Sequence, residues 1–244
     1  MALNKQLFDE HFEVFVADTE ESRKINFKIR YAVFCEESGM DNSELFPEQM
    51  EWDEADAYSV HFIVRNRYSG KWVAAMRLVQ KNHADFPFAE RCIPKSGIAK
   101  EQAMFDSVEL SRCCVVKDGR QIETPSLAKN TFSGSNNVIH LKDFKLDGRS
   151  IILSLYRAAA LYSSKNNIDS VNLFLTQAMV IYAMQQGFEM NLIGTPSQQR
   201  GERSLYKFNV NNFLKNISSA KDGVQDFYLY SAWINQSNLL RKIS

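Results

Sequence analysis

The stretch FDSVELSRCCVV, residues 105–116, predicts a β-strand that carries Glu109 and Arg112 within an otherwise apolar run. Charged side chains among apolar neighbours are costly unless a partner or a cleft accommodates them. On a regular strand these two residues would face opposite sides of the sheet, because side chains alternate. A β-bulge between them would bring both to one face, and bulges are frequent beside active sites. We therefore predict a bulged strand that borders a functional cleft.

Two segments upstream predict an antiparallel hairpin. They are YSVHFIVR at 58–65 and WVAAMRLV at 72–79, and a Ser-Gly pair between them is a turn signal. Arg77 is a further charge within an apolar strand, so it needs partners of opposite charge. Asp53 and Asp56 are the obvious candidates.

The rest of the chain predicts alternating strands and helices around this centre. FEVFVA at 12–17 predicts a strand, and Asp18 with Glu21 predicts the capping box of a helix that ends near Glu37. Beyond residue 116 we expect an insertion of the kind that forms lids, then helix, strand, helix, two strands and a helical tail. The insertion covers about 118–147, and the helix after it covers about 149–166. The next strand lies at 170–176, and the helix that follows it ends at Gly187. The two further strands lie at 188–193 and 204–210, and the tail covers about 213–244.

This order of elements predicts an α+β fold, with a mixed and mostly antiparallel sheet flanked by helices. It resembles the GNAT topology, in which two central strands splay apart. A pantetheine arm lies in that gap and pairs with the exposed strand edge as an added strand would. We expect residues 1–244 to form a single domain of this kind.

Composition narrows the function classes. Lys plus Arg and Asp plus Glu number 29 each, so no global field favours nucleic acid or an anionic membrane. The four cysteines form no CxxC pair, which argues against a metal site or a disulfide framework. No run of 18 apolar residues is present. We expect a cytoplasmic protein with no transmembrane segment, no nucleic-acid partner and no cofactor.

The charged residues suggest acyl transfer onto an amine, which needs a proton acceptor and stabilisation of an oxyanion. Glu109 could accept the proton, and a backbone N–H of the bulged strand could hold the oxyanion. Asp53, Asp56 and Arg77 would orient the acceptor. The alternative is an ion network that only fixes loop and helix against the sheet.

For other candidate residues, packing in the core is the alternative to a functional role. Phe34, Trp52 and Phe105 would be largely buried, in the core or in an acyl pocket. The paired cysteines Cys113 and Cys114 are expected to pack within the strand.

A second candidate site lies at the predicted helix start near Arg149. Lys145, Gly148 and Arg149 could bind the phosphate of a phosphopantetheine arm at the helix N-terminus, or form an ordinary helix start. Tyr182 lies near the position of a tyrosine that protonates the leaving thiolate in many GNAT enzymes, although its spacing to Gly187 is one residue too long. Packing is the alternative role for Tyr182.

Several motifs resemble those of the acyltransferases associated with the exosortase (PEP-CTERM) system. They are Arg30-Tyr-Ala-Val-Phe34-Cys-Glu-Glu, Glu51-Trp-Asp53-Glu-Ala-Asp56, Ser59-Val-His61, Met76-Arg77-Leu-Val, Glu109-Leu-Ser111-Arg112, Gly194-Thr-Pro196 and Gly201-Glu-Arg203-Ser-Leu-Tyr206. More distantly, the chain resembles acyl-homoserine-lactone (autoinducer) synthases and N-acyl amino acid synthases.

The resemblance implies a GNAT-like fold, an acyl-carrier-protein donor and an amine acceptor. The functional set that it implies consists of Arg30, Phe34, Asp53, Asp56, Arg77, Glu109 and Arg112, with Ser111 beside them as a substrate contact. Autoinducer synthases carry a tryptophan where this chain has Gly39-Met40. That difference argues against S-adenosylmethionine as the acceptor.

Our leading hypothesis is an N-acyltransferase that uses an acyl-phosphopantetheine thioester, on a carrier protein or CoA, as co-substrate. The alternatives are an acyl-homoserine-lactone synthase that uses S-adenosylmethionine and a non-catalytic GNAT-like binding module. We expect Lys142, Lys145, Arg149 and Arg157 to form a positive surface for an acidic carrier protein.

Overall fold

The computed structural model describes residues 11–80, 86–87, 92–94, 107–122, 146–196, 203–219, 229–231 and 242–243. Its strands are β1 (Phe12–Val16), β2 (Ser59–Asn66), β3 (Trp72–Val79), β4 (Cys92–Pro94), β5 (Ser107–Val115), β6 (Gln121–Ile122), β7 (Leu146–Asp147), β8 (Ser170–Thr176), β9 (Asn191–Pro196), β10 (Arg203–Asn209), β11 (Leu229–Ser231) and β12 (Lys242–Ile243). Its α-helices are α1 (Glu20–Tyr31), α2 (Gly148–Lys165), α3 (Gln177–Gln185) and α4 (Val210–Ser219).

Ten of the strands in the described ranges form one sheet, in the order β12-β11-β1-β2-β3-β5-β8-β10-β9-β4. The pairs β1/β11 and β5/β8 are parallel, and the other neighbours are antiparallel. The predicted mixed, mostly antiparallel sheet flanked by helices is therefore confirmed. The sheet places β5, the strand of Glu109, at its centre.

Helices pack on both faces of the sheet, because the central strands carry apolar side chains on both faces. On one face Phe62 and Val64 of β2 join a core with α2, α3 and α4. On the other face Ile63 packs with Ile29 of α1 and with Phe15. Burial on both sides explains why these strands have nearly continuous apolar sequences.

Helix α1 begins one residue later than the sequence indicates. The cap is Thr19, whose hydroxyl accepts a hydrogen bond from the Ser22 backbone N–H, while the Ser22 hydroxyl accepts one from the Thr19 N–H. The predicted box of Asp18 and Glu21 is therefore wrong, because Thr19 has the extended backbone that a cap requires. After Tyr31 the chain continues as a π-helix, Ala32–Glu37, and ends where the sequence predicts.

The insertion and the tail differ in part from the prediction. Strands β6 and β7 pair with each other and close the base of the insertion, whose residues 123–145 lie outside the described part. The tail is not helical throughout, because β11 pairs with β1 and β12 pairs with β11 beyond α4. The single-domain boundaries stay a prediction. Within the described residues, no helix has the length and apolar character needed to cross a bilayer.

Candidate active site

A gap opens between the central strands β5 and β8. Their parallel ladder runs from Ser107 with Ser170 to Leu110 with Leu173, and it ends there although both strands continue. A cavity of about 170 Å³ lies at the divergence. Its lining includes Ser111, Cys113, Tyr156, Phe174, Met179 and Arg203. The edge of β5 is therefore open to an extended ligand, as in strand addition.

The bulge in β5 lies at Arg112. Register with β3 shifts between Ala75 and Arg77, so that Arg112 and Cys113 together stand opposite one residue of β3. Arg112 has a φ of 51°, in the left-handed region that non-glycine residues rarely adopt. The predicted position between Glu109 and Arg112 is corrected by this register, because pairing stays regular through Ser111.

A larger cleft of about 460 Å³ adjoins the gap and contains the charged residues of β5. Its lining consists of Phe34, Met40, Arg77, Pro87, Glu109, Leu110, Ser111, Arg112, Cys113, Phe174 and Arg203. Glu109 and Ser111 share one face of the strand because they are two residues apart. Both Glu109 and Arg112 border this cleft, which is the outcome that the bulge was predicted to produce.

Behind the cleft lies a charge network, which we define as Arg30, Glu51, Asp53, Asp56, Arg77 and Arg112. Arg30 is fully buried and donates from Nε to Glu51 at 2.5 Å. It also donates from both terminal nitrogens to the two oxygens of Asp56, at 2.6 and 3.0 Å. This bidentate geometry is the strongest arrangement of guanidinium and carboxylate.

The outer half of the charge network reaches the cleft. Arg77 donates to Asp53 at 2.5 Å and lies 3.1 Å from Asp56, so the predicted pairing with both carboxylates is confirmed. Arg112 donates to Glu51 at 3.1 Å and to Asp53 at 3.4 Å. Three guanidinium groups thus share three carboxylates, and the formal charges cancel.

Local sequence explains why the two aspartates face the strands. Asp53 caps a short 3-10 helix, Glu54–Tyr58, and accepts a hydrogen bond from the Ala55 N–H at 2.9 Å. Asp56 accepts one from the Asp53 N–H at 2.8 Å, which completes a capping box. The motif therefore orients both carboxylates through hydrogen bonds within the motif itself.

The protonation states follow from burial and pairing. Burial by itself raises the pKa of Asp56, but hydrogen bonds from His61 and Arg30 outweigh it and hold that pKa well below its usual range. Asp53 behaves likewise: burial raises its pKa, but the hydrogen bond from Arg77 together with the positive charges of Arg77 and Arg112 leaves the pKa below its ordinary value. Burial lowers the pKa of His61 despite its contact with Asp56. The aspartates are thus charged, and His61 neutral, at pH 7.

The predicted substrate residues fall into two groups. Arg30 and Asp56 are buried behind the cleft, so in this structure they support the site and have no surface for a substrate. Phe34, Arg77, Ser111 and Arg112 line the cleft with Glu109. Asp53 lies between the two groups: 36% of its side chain is exposed, and it forms ion pairs with Arg77 and Arg112. Their roles toward a ligand stay predictions.

The aromatic predictions have mixed outcomes. Phe34 is half-buried, and the centre of its ring lies 5.5 Å from the Arg112 guanidinium carbon. Trp52 is 58% exposed, so its predicted burial is wrong. Its neighbours Glu51 and Asp53 face the charge network, and successive side chains of an extended chain point to opposite sides. Phe105 lies outside the described residues.

Of the residues predicted to bind the acyl donor, the structure brings only some together. Gly148 and Arg149 begin α2, and the Arg149 guanidinium carbon lies 5.2 Å from the ring centre of Tyr182 on α3. Lys145, like Lys142, lies outside the described residues. Arg149 is exposed and Arg157 is half-buried. Phosphate binding, thiolate protonation and carrier docking at these residues stay predictions.

The cysteines of β5 are thiols at neutral pH. Burial raises the pKa of Cys114 to about 12 and that of Cys113 well above its ordinary value. Protonated thiols are poor nucleophiles. These pKa directions agree with packing as their expected role.

The motifs quoted from the sequence contain three further residues of the site to which no role was assigned: Glu51, His61 and Arg203. Glu51 links Arg30 to Arg112. It lies two residues before Asp53, and in an extended chain two such side chains point to the same side, so this spacing could have indicated it. His61 pairs with Arg77 across the hairpin, and counting outward from the predicted turn could have placed it there. Arg203 lines both cavities, but its approach depends on long-range pairing of β10 with β8, which no local pattern shows.

Comparisons with known proteins agree with this geometry. Residues 29–130 match the family model of the acetyltransferase (GNAT) domain. The solved structure of the acyl-homoserine-lactone synthase LasI superposes with a TM-score of 0.54 at 19% identity, covering 88% of this chain and 96% of that one. The chain has the GNAT fold. A search of the curated proteins found no match.

Two further solved structures are similar to this chain. BjaI, a CoA-dependent acyl-homoserine-lactone synthase solved with S-adenosylmethionine and isopentyl-CoA, has a TM-score of 0.55 at 15% identity, covering 91% of this chain and 92% of that one. FeeM, an N-acyl amino acid synthase from uncultured soil microbes, has a TM-score of 0.47 at 12% identity, covering 84% and 94%. The match of residues 29–130 to the acetyltransferase domain model supports an acyltransferase.

Proposed function

We propose that this chain is an N-acyltransferase that moves a fatty-acyl group from a thioester carrier onto a small amine such as an amino acid. The observation that carries the proposal is the divergence of β5 from β8 directly beside Glu109 and the bulge at Arg112. An acyl-pantetheine arm would occupy the gap, and the amine would occupy the adjoining cleft.

The chemistry follows from the positions of these groups. The amine nitrogen attacks the thioester carbonyl, a C–N bond forms, and the C–S bond breaks. Glu109 takes up the proton that the nitrogen loses, directly or through water. The leaving thiolate gains one proton from solvent, and Glu109 releases to solvent the proton that it took up, so the reaction is balanced and the base is regenerated. A backbone N–H at the bulge, where ladder pairing is interrupted, would hold the oxyanion.

The charge network would keep this site in position. Arg77 donates from Nε to the Ser111 hydroxyl at 3.1 Å, which ties β3 to the strand of Glu109. Arg112 is held by Glu51 and Asp53 on the cleft side of the bulge. Because the charges cancel, the network can fix the floor of the cleft without imposing a strong net field on the acceptor.

An acyl carrier protein as the preferred donor is the finer part of the proposal, together with the resemblance to the PEP-CTERM-associated enzymes. Arg149, exposed at the start of α2, would meet the phosphate of the arm. Dodecanoyl carrier protein and dodecanoyl-CoA, compared at equal concentration, test this preference. A higher kcat/KM with CoA would contradict it.

Glu109→Gln tests the chemistry. Dodecanoyl carrier protein and dodecanoyl-CoA serve as donors, a mixture of the twenty amino acids serves as the acceptors, and mass spectrometry detects acylated products. We expect kcat/KM to fall about a hundredfold or more, because general bases contribute on that order. Glu44→Gln, which changes an exposed glutamate outside the cleft, is the matched control and should behave as the wild type.

Equal turnover by Glu109→Gln and the wild type would contradict the assignment of the base. A wild-type chain that transfers no acyl group from either donor would favour the binding module instead.

S-adenosylmethionine is the acceptor of the competing proposal, and BjaI has been solved with it. A calorimetric titration decides between them, because an acyl-homoserine-lactone synthase must bind that acceptor. We expect no heat of binding to this chain.

A further inference from the structure

Arg203 occupies a position that connects the two cavities. It is the first residue of β10, its side chain is exposed, and it lines both the cleft beside Glu109 and the gap between β5 and β8. Its backbone pairs with Thr176 at the end of β8. Arg203 thus lines the cleft from β10, which is separated from the strand of Glu109 by β8.

Arg203 differs in charge balance from the other arginines of the cleft. Arg77 and Arg112 each have two carboxylate partners in the charge network. Within the described ranges, which omit residues 197–202, no carboxylate forms an ion pair with Arg203. Its positive charge is therefore available to a ligand in the cleft.

The spacing of the strands suits a ligand with two adjacent charged groups. Strand β8 lies between β5 and β10, and Glu109 pairs with Asn172 of β8 whereas Arg203 pairs with Thr176, so two strand spacings and four residues along β8 put the two backbones roughly 16 Å apart. A glutamate and an arginine side chain that both point into the cleft leave room for a small molecule between them. An α-amino acid places its amine and its carboxylate within a few bonds of each other.

We propose that Arg203 binds the carboxylate of the acceptor and thereby selects amino acids over simple amines. The assignment rests on the proposed acyl transfer. The acceptor amine would lie toward Glu109 and the thioester, and its carboxylate would lie against the guanidinium, which offers paired N–H donors to two oxygens. Arg203 would act in positioning and specificity, and Glu109 in proton transfer.

Two product-like ligands isolate the carboxylate without requiring turnover. N-dodecanoylglycine and N-dodecanoylglycinamide have the same chain and differ in charge at one end only. Calorimetry measures the Kd of each with the wild type, Arg203→Gln, Arg203→Lys and the control Arg23→Gln, which changes an exposed arginine of α1.

We expect the wild type to bind the glycine ligand about tenfold more tightly than the amide, because the ion pair is partly exposed. Arg203→Gln should reduce that preference to within about twofold, and Arg203→Lys should retain part of it, since lysine keeps the charge but not the paired donors. Arg23→Gln should keep the full preference.

Three results would overturn the assignment: equal affinity of the wild type for both ligands, an equal loss for both ligands in Arg203→Gln, or weaker CoA binding in that variant with the ligand preference unchanged. The last result would assign Arg203 to the donor phosphates. A failure of the proposed function would be seen in a different measurement. Unchanged turnover in Glu109→Gln would contradict the proposed base, but it would not change the preference of the wild type for the glycine ligand over the amide.

Discussion

Replacing Arg30 with glutamine tests whether the buried half of the charge network holds the fold together. Arg30 has no exposed surface and makes three hydrogen bonds to Asp56 and Glu51. Removing its charge leaves both carboxylates buried with fewer partners, although Asp56 keeps His61 and Arg77. Breaking a buried ion pair in this way costs about 3–5 kcal/mol.

For a chain of this length each kcal/mol lowers Tm by about 2–4 °C, so the expected decrease is about 6–20 °C. Thermal unfolding followed by circular dichroism measures it. Lys24→Gln is the control, because it removes an ion pair of 2.7 Å to Glu20 on the exposed face of α1 and should leave Tm almost unchanged. The reasoning fails if the two variants unfold at the same temperature.

Further predictions concern pH, backbone strain and thiol chemistry. Burial lowers the pKa of His61 in the folded chain, so the unfolded chain binds more protons and stability should decrease as the pH falls below about 6.5. In urea unfolding from pH 7 to pH 5, His61→Gln should flatten that decrease and His11→Gln should not; parallel profiles for both variants would contradict it. Arg112→Gly should be more stable than Arg112→Ala by about 1 kcal/mol, because glycine adopts a φ of 51° without strain; equal Tm values would contradict it. Cys113→Ala should retain the turnover of the wild type, since burial keeps this thiol protonated; loss of turnover with the fold intact would assign Cys113 a chemical role.

The central elements could be predicted because their own residues determine them. The apolar runs of β2 and β3 indicate buried strands, and the helical periodicity of α2 indicates which of its side chains face the core. Charges within apolar strands likewise indicated a paired network, since a solitary charge at such positions would be too costly. The sequence also indicated a bulge in β5, although it did not fix the bulge at Arg112.

The remaining features depend on contacts between distant parts of the chain. β11 and β12 are only three and two residues long, and long-range pairing with β1 and with each other defines them. The exposure of Trp52 follows from the orientation of its neighbours toward arginines on other elements. Arg203 reaches the cleft only through the sheet order. No local pattern reports such pairings, because strand partners can come from any distance along the sequence.

The two halves of the charge network explain how one cluster can be both structural and functional. Its buried half, Arg30 with Asp56, is saturated and inaccessible, so its contribution is the placement of the loop that carries Asp53. Its outer half, Asp53 with Arg112, remains partly exposed and borders the bulge. A loss of the buried half should therefore lower stability and activity together. A loss of the outer half should lower activity with a smaller change in Tm, and this difference separates a scaffold for catalysis from a network that only stabilises the sheet.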